Sequence, residues 1–130
     1  MRLKSLACYT LLLLLIIPHS PVNAREIKTR RINFKRGQTS ASVRGSLRGM
    51  NEMKVFLVRA KAGQHMRVEI VGDGATVGYV TAPSGKQEGM PGGVVFDDEL
   101  KETGDYRLLV KEHNMAEGWR GHFILKVEVR

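Results

Sequence analysis

The sequence predicts an all-β protein: an antiparallel β-sandwich of about eight strands with jelly-roll-like connections. Three observations predict it. After residue 24 no long segment has helical periodicity, and short runs alternate apolar with polar residues instead. Glycine-bearing breaks separate those runs at turn-like spacing. Each run therefore has one apolar face, which a lone sheet would leave in water. Two sheets packed face to face remove that exposure.

Taken in order, the first segment is not expected to belong to the fold. Arg2 and Lys4 give a basic start, Leu11 to Ile17 is unbroken apolar sequence, and Val22-Asn23-Ala24 is a small-residue cleavage pattern. This reads as a secretory signal peptide over 1–24, leaving one domain over 25–130. The apolar run is too short to span a bilayer. The one cysteine, Cys8, lies inside the signal segment, ahead of the apolar run and after Ser5-Leu6-Ala7, a poor lipidation context, so no stable membrane anchor is expected. The processed chain has no thiol, which excludes disulfides, thiolate metal sites and cysteine catalysis. Export without disulfides points to a bacterial periplasm, with secretion as the alternative.

The strands follow. Arg30 to Phe34 places Ile32 and Phe34 on one face. Ala41, Val43, Gly45, Leu47 and Gly49 alternate with Ser42, Arg44, Ser46 and Arg48. Lys54 to Ala60 puts Phe56, Val58 and Ala60 on one side, and Met66, Val68 and Ile70 alternate in His65 to Val71. Val77 to Thr81 and the short Val94 to Phe96 come next. Tyr106, Leu108 and Val110 share a face, as do Phe123, Leu125, Val127 and Val129. In "ELKETGDYRLLV", Gly104 and Asp105 are expected to make the turn that launches Tyr106 inward. Asp105 and Tyr106 then point to opposite faces, which argues against a shared catalytic role. Two connections exceed turn length, 83–93 and 111–121, and long loops on a rigid sandwich are the usual seat of recognition. Trp119 lies in the second, either as an exposed anchor or as a lid folded back on the core.

The whole chain carries a net charge of +8; without Arg2 and Lys4 the processed chain has 19 basic against 13 acidic residues, a net of +6. An acidic protein, an anionic glycan or a membrane surface are possible counterparts, but the cations are scattered, with Arg30-Arg31 and Lys35-Arg36 the densest, as on a solvated surface. Few aromatics interleave with them, so no nucleic acid partner is expected. Gly72-Asp-Gly74-Ala-Thr-Val-Gly78 mimics a dinucleotide loop, yet strand-like residues follow it and no helix N-terminus is available for phosphate. His65, His113 and His122 lack a zinc-ligand spacing, so no metal is expected there. Asp97-Asp98-Glu99 is a solvated turn first and a calcium site second. Gly45-Ser46-Leu-Arg-Gly49 is not a nucleophile elbow. These residues propose no enzyme, no cofactor and no catalytic group; they propose an exported β-domain that binds something.

The order Ile32-Asn-Phe34, Ala60-Lys-Ala-Gly63-Gln64, Val68-Glu-Ile70, Ala82-Pro-Ser-Gly85 and Thr103-Gly-Asp-Tyr106 resembles the bacterial pre-peptidase C-terminal domain over nearly the whole processed chain. Among stand-alone proteins of this pattern it is most similar to the periplasmic inhibitors of g-type lysozyme, through Phe34-Lys-Arg-Gly-Gln-Thr-Ser-Ala41 and Ala60 to Gln64. That resemblance implies a β-sandwich whose loops plug a lysozyme cleft without a covalent step, lysozyme being the partner. Two features depart from the family pattern. Met50 stands where an aromatic is usual after the glycine matching Gly49. The loop expected to carry arginines has His113 and Glu117, with Asn114 matching and Arg120 able to supply a cation from a shifted register. Under this reading Met50, His113, Asn114, Trp119 and Arg120 face the cleft. The alternative is an exported module of the same fold that binds glycan or extracellular protein and inhibits nothing.

Overall fold

A computed structural model describes residues 27–49, 52–72, 76–113 and 121–130. The expected signal segment, 1–24, lies outside the described residues. Nine strands form among them: β1 Thr29–Arg31, β2 Ser40–Leu47, β3 Met53–Ala60, β4 His65–Gly72, β5 Thr76–Thr81, β6 Gln87–Pro91, β7 Gly93–Glu99, β8 Gly104–Glu112 and β9 Gly121–Val129. They build two sheets, one ordered β1-β3-β8-β5-β6 and the other β2-β9-β4-β7. All pairings are antiparallel except that of β1 with β3, which is parallel. The all-β sandwich expected from the alternation is the fold.

The inward set is the one the alternation marked. Val43 and Leu47 of β2, Phe56, Val58 and Ala60 of β3, Met66, Val68 and Ile70 of β4, Leu108 and Val110 of β8, and Phe123, Leu125, Val127 and Val129 of β9 are all buried in one core. Fully burying a side chain of this size contributes about 1.5–3 kcal/mol. Phe56 and Phe123 meet edge to face across the sheets, ring centres 6.4 Å apart. The Phe123 ring lies over its register partner Gly45, where an added Cβ would sit 2.3 Å from the ring. Gly45 is therefore a packing residue, required by the close approach of an aromatic.

Several boundaries differ from the sequence expectation: β1 is Thr29–Arg31 where Arg30 to Phe34 was expected, β7 is longer than Val94 to Phe96, and three further differences follow. The connection 83–93 contains a ninth strand, β6, an exposed edge that pairs with β5; its register with Val77 to Thr81 supplies the partner that local apolarity could not announce. Gly104 and Asp105 do not form the turn. They already pair with Ala60 and Arg59 in β8, and the turn is 100–103, because Leu100 buries its side chain and holds the chain back at the core. β8 also continues to Glu112, which shortens the next connection to 113–120.

Asp105 and Tyr106 do face opposite ways. Asp105 points outward into a bidentate ion pair with Arg31, both contacts at 2.9 Å, and this guanidinium holds its carboxyl below the ordinary aspartate range. Tyr106 is buried, and its hydroxyl donates to the Glu102 carbonyl at 2.6 Å while accepting from the Glu102 amide at 3.3 Å. Burial pushes the phenol's pKa up, so the hydroxyl stays a donor.

Replacing Gly45 by alanine should destabilise the fold by about 1–3 kcal/mol, because the Phe123 ring has to move. Tyr106→Phe should cost about 1–3 kcal/mol by stranding the Glu102 backbone groups. Urea denaturation with unchanged m-values would measure both. A neutral Gly45→Ala would show that the core has slack at this crossing.

Candidate functional site

The registers sort the connections onto two ends of the sandwich. Leu47 pairs with Gly121, Met53 with Lys111, Gly72 with Phe123, Thr76 with Glu112, and Ile70 with Gly93. The connections 48–52, 73–75, 92 and 113–120 therefore all leave from one end. Turns 61–64, 82–86 and 100–103 leave from the other.

That other end is tied shut. The Gly63 amide donates to the Leu100 carbonyl at 2.9 Å, and the Leu100 amide to the Gln64 carbonyl at 2.7 Å. Ala62 donates its amide to Thr103 Oγ1 at 2.9 Å, and Lys61 donates its amide to Gln64 Oε1 at 2.8 Å. Ser84 donates its amide and hydroxyl to the two oxygens of Glu102, at 2.9 and 2.8 Å. Gly104 has a φ of 148°, and a Cβ there would meet the Pro83 ring at 2.9 Å. The motifs Ala-Lys-Ala-Gly-Gln, Ala-Pro-Ser-Gly and Thr-Gly-Asp-Tyr thus close one structural junction. They carry the fold and seal this end.

At the opposite end, the 48–52 connection is clamped at its base. Glu52 accepts from the Arg48 amide at 2.6 Å and from Lys54 Nζ at 2.7 Å, and its own amide donates to the Gly49 carbonyl at 3.1 Å. The Lys54 hydrogen bond above all holds the Glu52 carboxyl below its ordinary range; burial opposes it, and the Arg48 amide adds a smaller lowering effect. At the same end, half-buried His113 lines a cavity of about 350 Å³ with Ile70, Gly72, Thr76, Pro91, Gly92 and Gly93. The Gly92 amide donates to the Thr76 carbonyl at 2.7 Å.

Of the five residues expected to face a cleft, His113 alone is described. Met50, Asn114, Trp119 and Arg120 lie outside the described residues, although the strands that carry their connections end side by side. Two residues at this end escaped the sequence reading. Glu52 is one; its carboxylate closes a local turn, back onto the Arg48 amide four residues earlier and forward onto Lys54 two residues later. Glu112 is the other: it is buried at the last position of β8, and it continues the inward series Tyr106, Leu108, Val110, so the period of two already placed a carboxylate on the core face. A buried carboxylate at the root of a loop is an unusual feature.

The acidic cluster and the histidines are dispersed. Asp97 is engaged by His65 and Arg67 on the outer face of the second sheet, and those contacts, His65 first, hold its carboxyl below its usual range. Asp98 accepts from the Glu99 amide at 2.7 Å. His122 is exposed at the start of β9. Among the described residues no three His, Cys, Asp or Glu side chains gather as a metal site would need.

A two-sheet frame with one end sealed by its motifs and loops gathered at the other is a β-sandwich with the fold of the pre-peptidase C-terminal domain. The pre-peptidase C-terminal domain of a Bacillus anthracis collagenase shares the fold at TM-score 0.59, with 16% identity over 82% of this chain and 100% of that one. Two periplasmic inhibitors of g-type lysozyme share it as well. The Aeromonas hydrophila inhibitor has TM-score 0.70 and 24% identity over 80% of this chain and 97% of its own, and the Salmonella Typhimurium inhibitor has 0.63 and 18% over 79% and 98%. No protein-family model and no curated protein sequence matches the chain.

Because the folded-state pKa of Glu52 is depressed, its clamp contributes fully above the unfolded value of about 4.3 and is lost as pH falls through the lower folded value. The Arg48 amide resonance should therefore titrate with a midpoint below about 4.3. In Glu52→Gln that titration should vanish, and stability should fall less on acidification than in the unaltered protein. A midpoint above that value would show that the clamp is not formed.

Proposed function

We propose that this chain is an exported, periplasmic protein inhibitor of lysozyme, with g-type lysozyme as the first target. The proposal includes removal of the signal segment after Ala24. The blockade is steric and electrostatic, with no covalent step and no cofactor. One observation carries the reading: the connections 48–52 and 113–120, which hold Met50, His113, Asn114, Trp119 and Arg120, start from neighbouring strand ends on the side opposite the sealed junction. The shared fold with two inhibitors that match over nearly their whole length supports it.

The chemistry is complementary. A muramidase cleft presents carboxylates around the scissile glycosidic bond. Arg120 brings a cation to them on a chain whose net charge is +8, and opposite charge speeds encounter and penalises wrong partners. Trp119 supplies a rigid apolar anchor, the residue type that dominates contact energies when it fills a pocket. His113 contributes a neutral or cationic donor at the rim of its cavity.

A second reading rests on the match to the collagenase domain: an exported module that binds glycan or protein and inhibits nothing. The two readings part in one assay. The processed protein, residues 25–130, should inhibit a goose-type lysozyme in a cell-wall clearing assay, with weaker inhibition at high salt. Trp119→Ala combined with Arg120→Glu should raise the inhibition constant at least ten-fold without changing the unfolding midpoint. No inhibition at micromolar excess, across several lysozyme types, would sink the proposal. Retention on peptidoglycan or chitin in the absence of lysozyme would then favour the second reading.

A further inference from the structure

The open side of the sandwich carries a second surface that the loop end does not use. The first sheet ends at β1 and the second at β2, and among the described residues no strand pairs with the outer edge of either. Between these edges runs a groove of about 880 Å³ lined by Ile27, Lys28, Thr29, Arg30, Arg31, Arg44, Gly45, Ser46, Lys54, Val55 and Phe56. Five of those side chains are cations and none is an acid. Two are engaged: Arg31 by Asp105 and Lys54 by Glu52. Lys28, Arg30 and Arg44 are exposed and enter no ion pair among the described residues. Arg30 and Arg31 are also one of the two densest basic pairs of the sequence, and the loop-end reading leaves them unexplained.

The register says which way the groove faces. Arg30 pairs with Phe56, an inward position, and Lys28 lies two residues earlier on the same side. Lys54 shares the side of Phe56 by the same period. These cations therefore look from the edge of the first sheet toward the free edge of β2. That edge is eight residues long, against three in β1. A long free edge offers backbone donors and acceptors to an extended chain.

We propose that this groove receives an extended acidic peptide segment of a partner protein, which adds as a strand to β2. Added there, its side chains alternate between the two faces of the second sheet. One set points across to Lys28 and Arg30, and the other lies beside Arg44. Acidic residues at every second position place carboxylates against the cations, while the backbone pairs with β2. An anionic polysaccharide meets the same charges but cannot satisfy the edge amides in register. The free edge, in addition to the charge, selects the peptide.

The probe is a capped octapeptide alternating glutamate and valine, with its glutamine counterpart and a sulfated oligosaccharide of similar length as comparisons. Calorimetry on the processed protein should show micromolar binding of the glutamate peptide, weakening with salt, and at least ten-fold weaker binding of the glutamine form. The double variant Arg30→Glu, Arg44→Glu should lose at least ten-fold in affinity, whereas Lys86→Glu, in the turn at the sealed end, should not. Alternate amides of β2 should gain protection from hydrogen exchange when peptide is bound. Three results would overturn the proposal: no binding, binding without protection of β2, or a sulfated oligosaccharide that binds as tightly. Lysozyme inhibition by the double variant should equal that of the unaltered protein, so failure here and failure of the inhibitor reading are separately visible.

Discussion

The rest of the structure depends on one constraint: each strand has an apolar face, and the two sheets have only each other to bury it. With a period of two, a slip of one residue would turn Phe123, Leu125 and Val127 into water. Register is therefore specified along every core strand. Because register is specified, strand ends fall at defined places, and so do the connections. The edge-to-face meeting of Phe56 and Phe123 over Gly45 shows the tolerance at the centre: the aromatic fits because its neighbour has no side chain.

The division of labour between the two ends follows. At one end, backbone and side-chain hydrogen bonds join 61–64, 82–86 and 100–103, and Tyr106 reaches back four residues to the Glu102 backbone. That end is costly to alter, because each substitution strands a polar partner. At the other end Glu52 clamps only the base of its connection. The fold itself tolerates wide sequence change, as the 16–24% identity to structures that share it shows.

The motifs Ala-Lys-Ala-Gly-Gln, Ala-Pro-Ser-Gly and Thr-Gly-Asp-Tyr sit at the sealed junction, where the fold requires them. The basic groove between β1 and β2 is a different kind of surface, made by two unpaired edges rather than by loops. Its cations come from segments far apart in sequence, around Arg30, Arg44 and Lys54.

The sequence by itself determined the class of fold, the inward set of the core strands, and the opposite faces of Asp105 and Tyr106. All of these follow from local alternation, which is a property of neighbouring residues. It also held a clue that went unread, the inward position of Glu112. Only the tertiary structure decided the rest. β6 is polar and exposed along its length, so nothing local marks it as a strand; pairing with β5 does. The turn expected at Gly104 moved back to 100–103 because Leu100 is drawn into the core. The Arg31–Asp105 pair joins residues 74 positions apart in the chain, and the basic groove gathers cations from β1, β2 and β3. Such contacts arise from the order of strands in the two sheets, and strand order is a choice among global packings that no local pattern encodes.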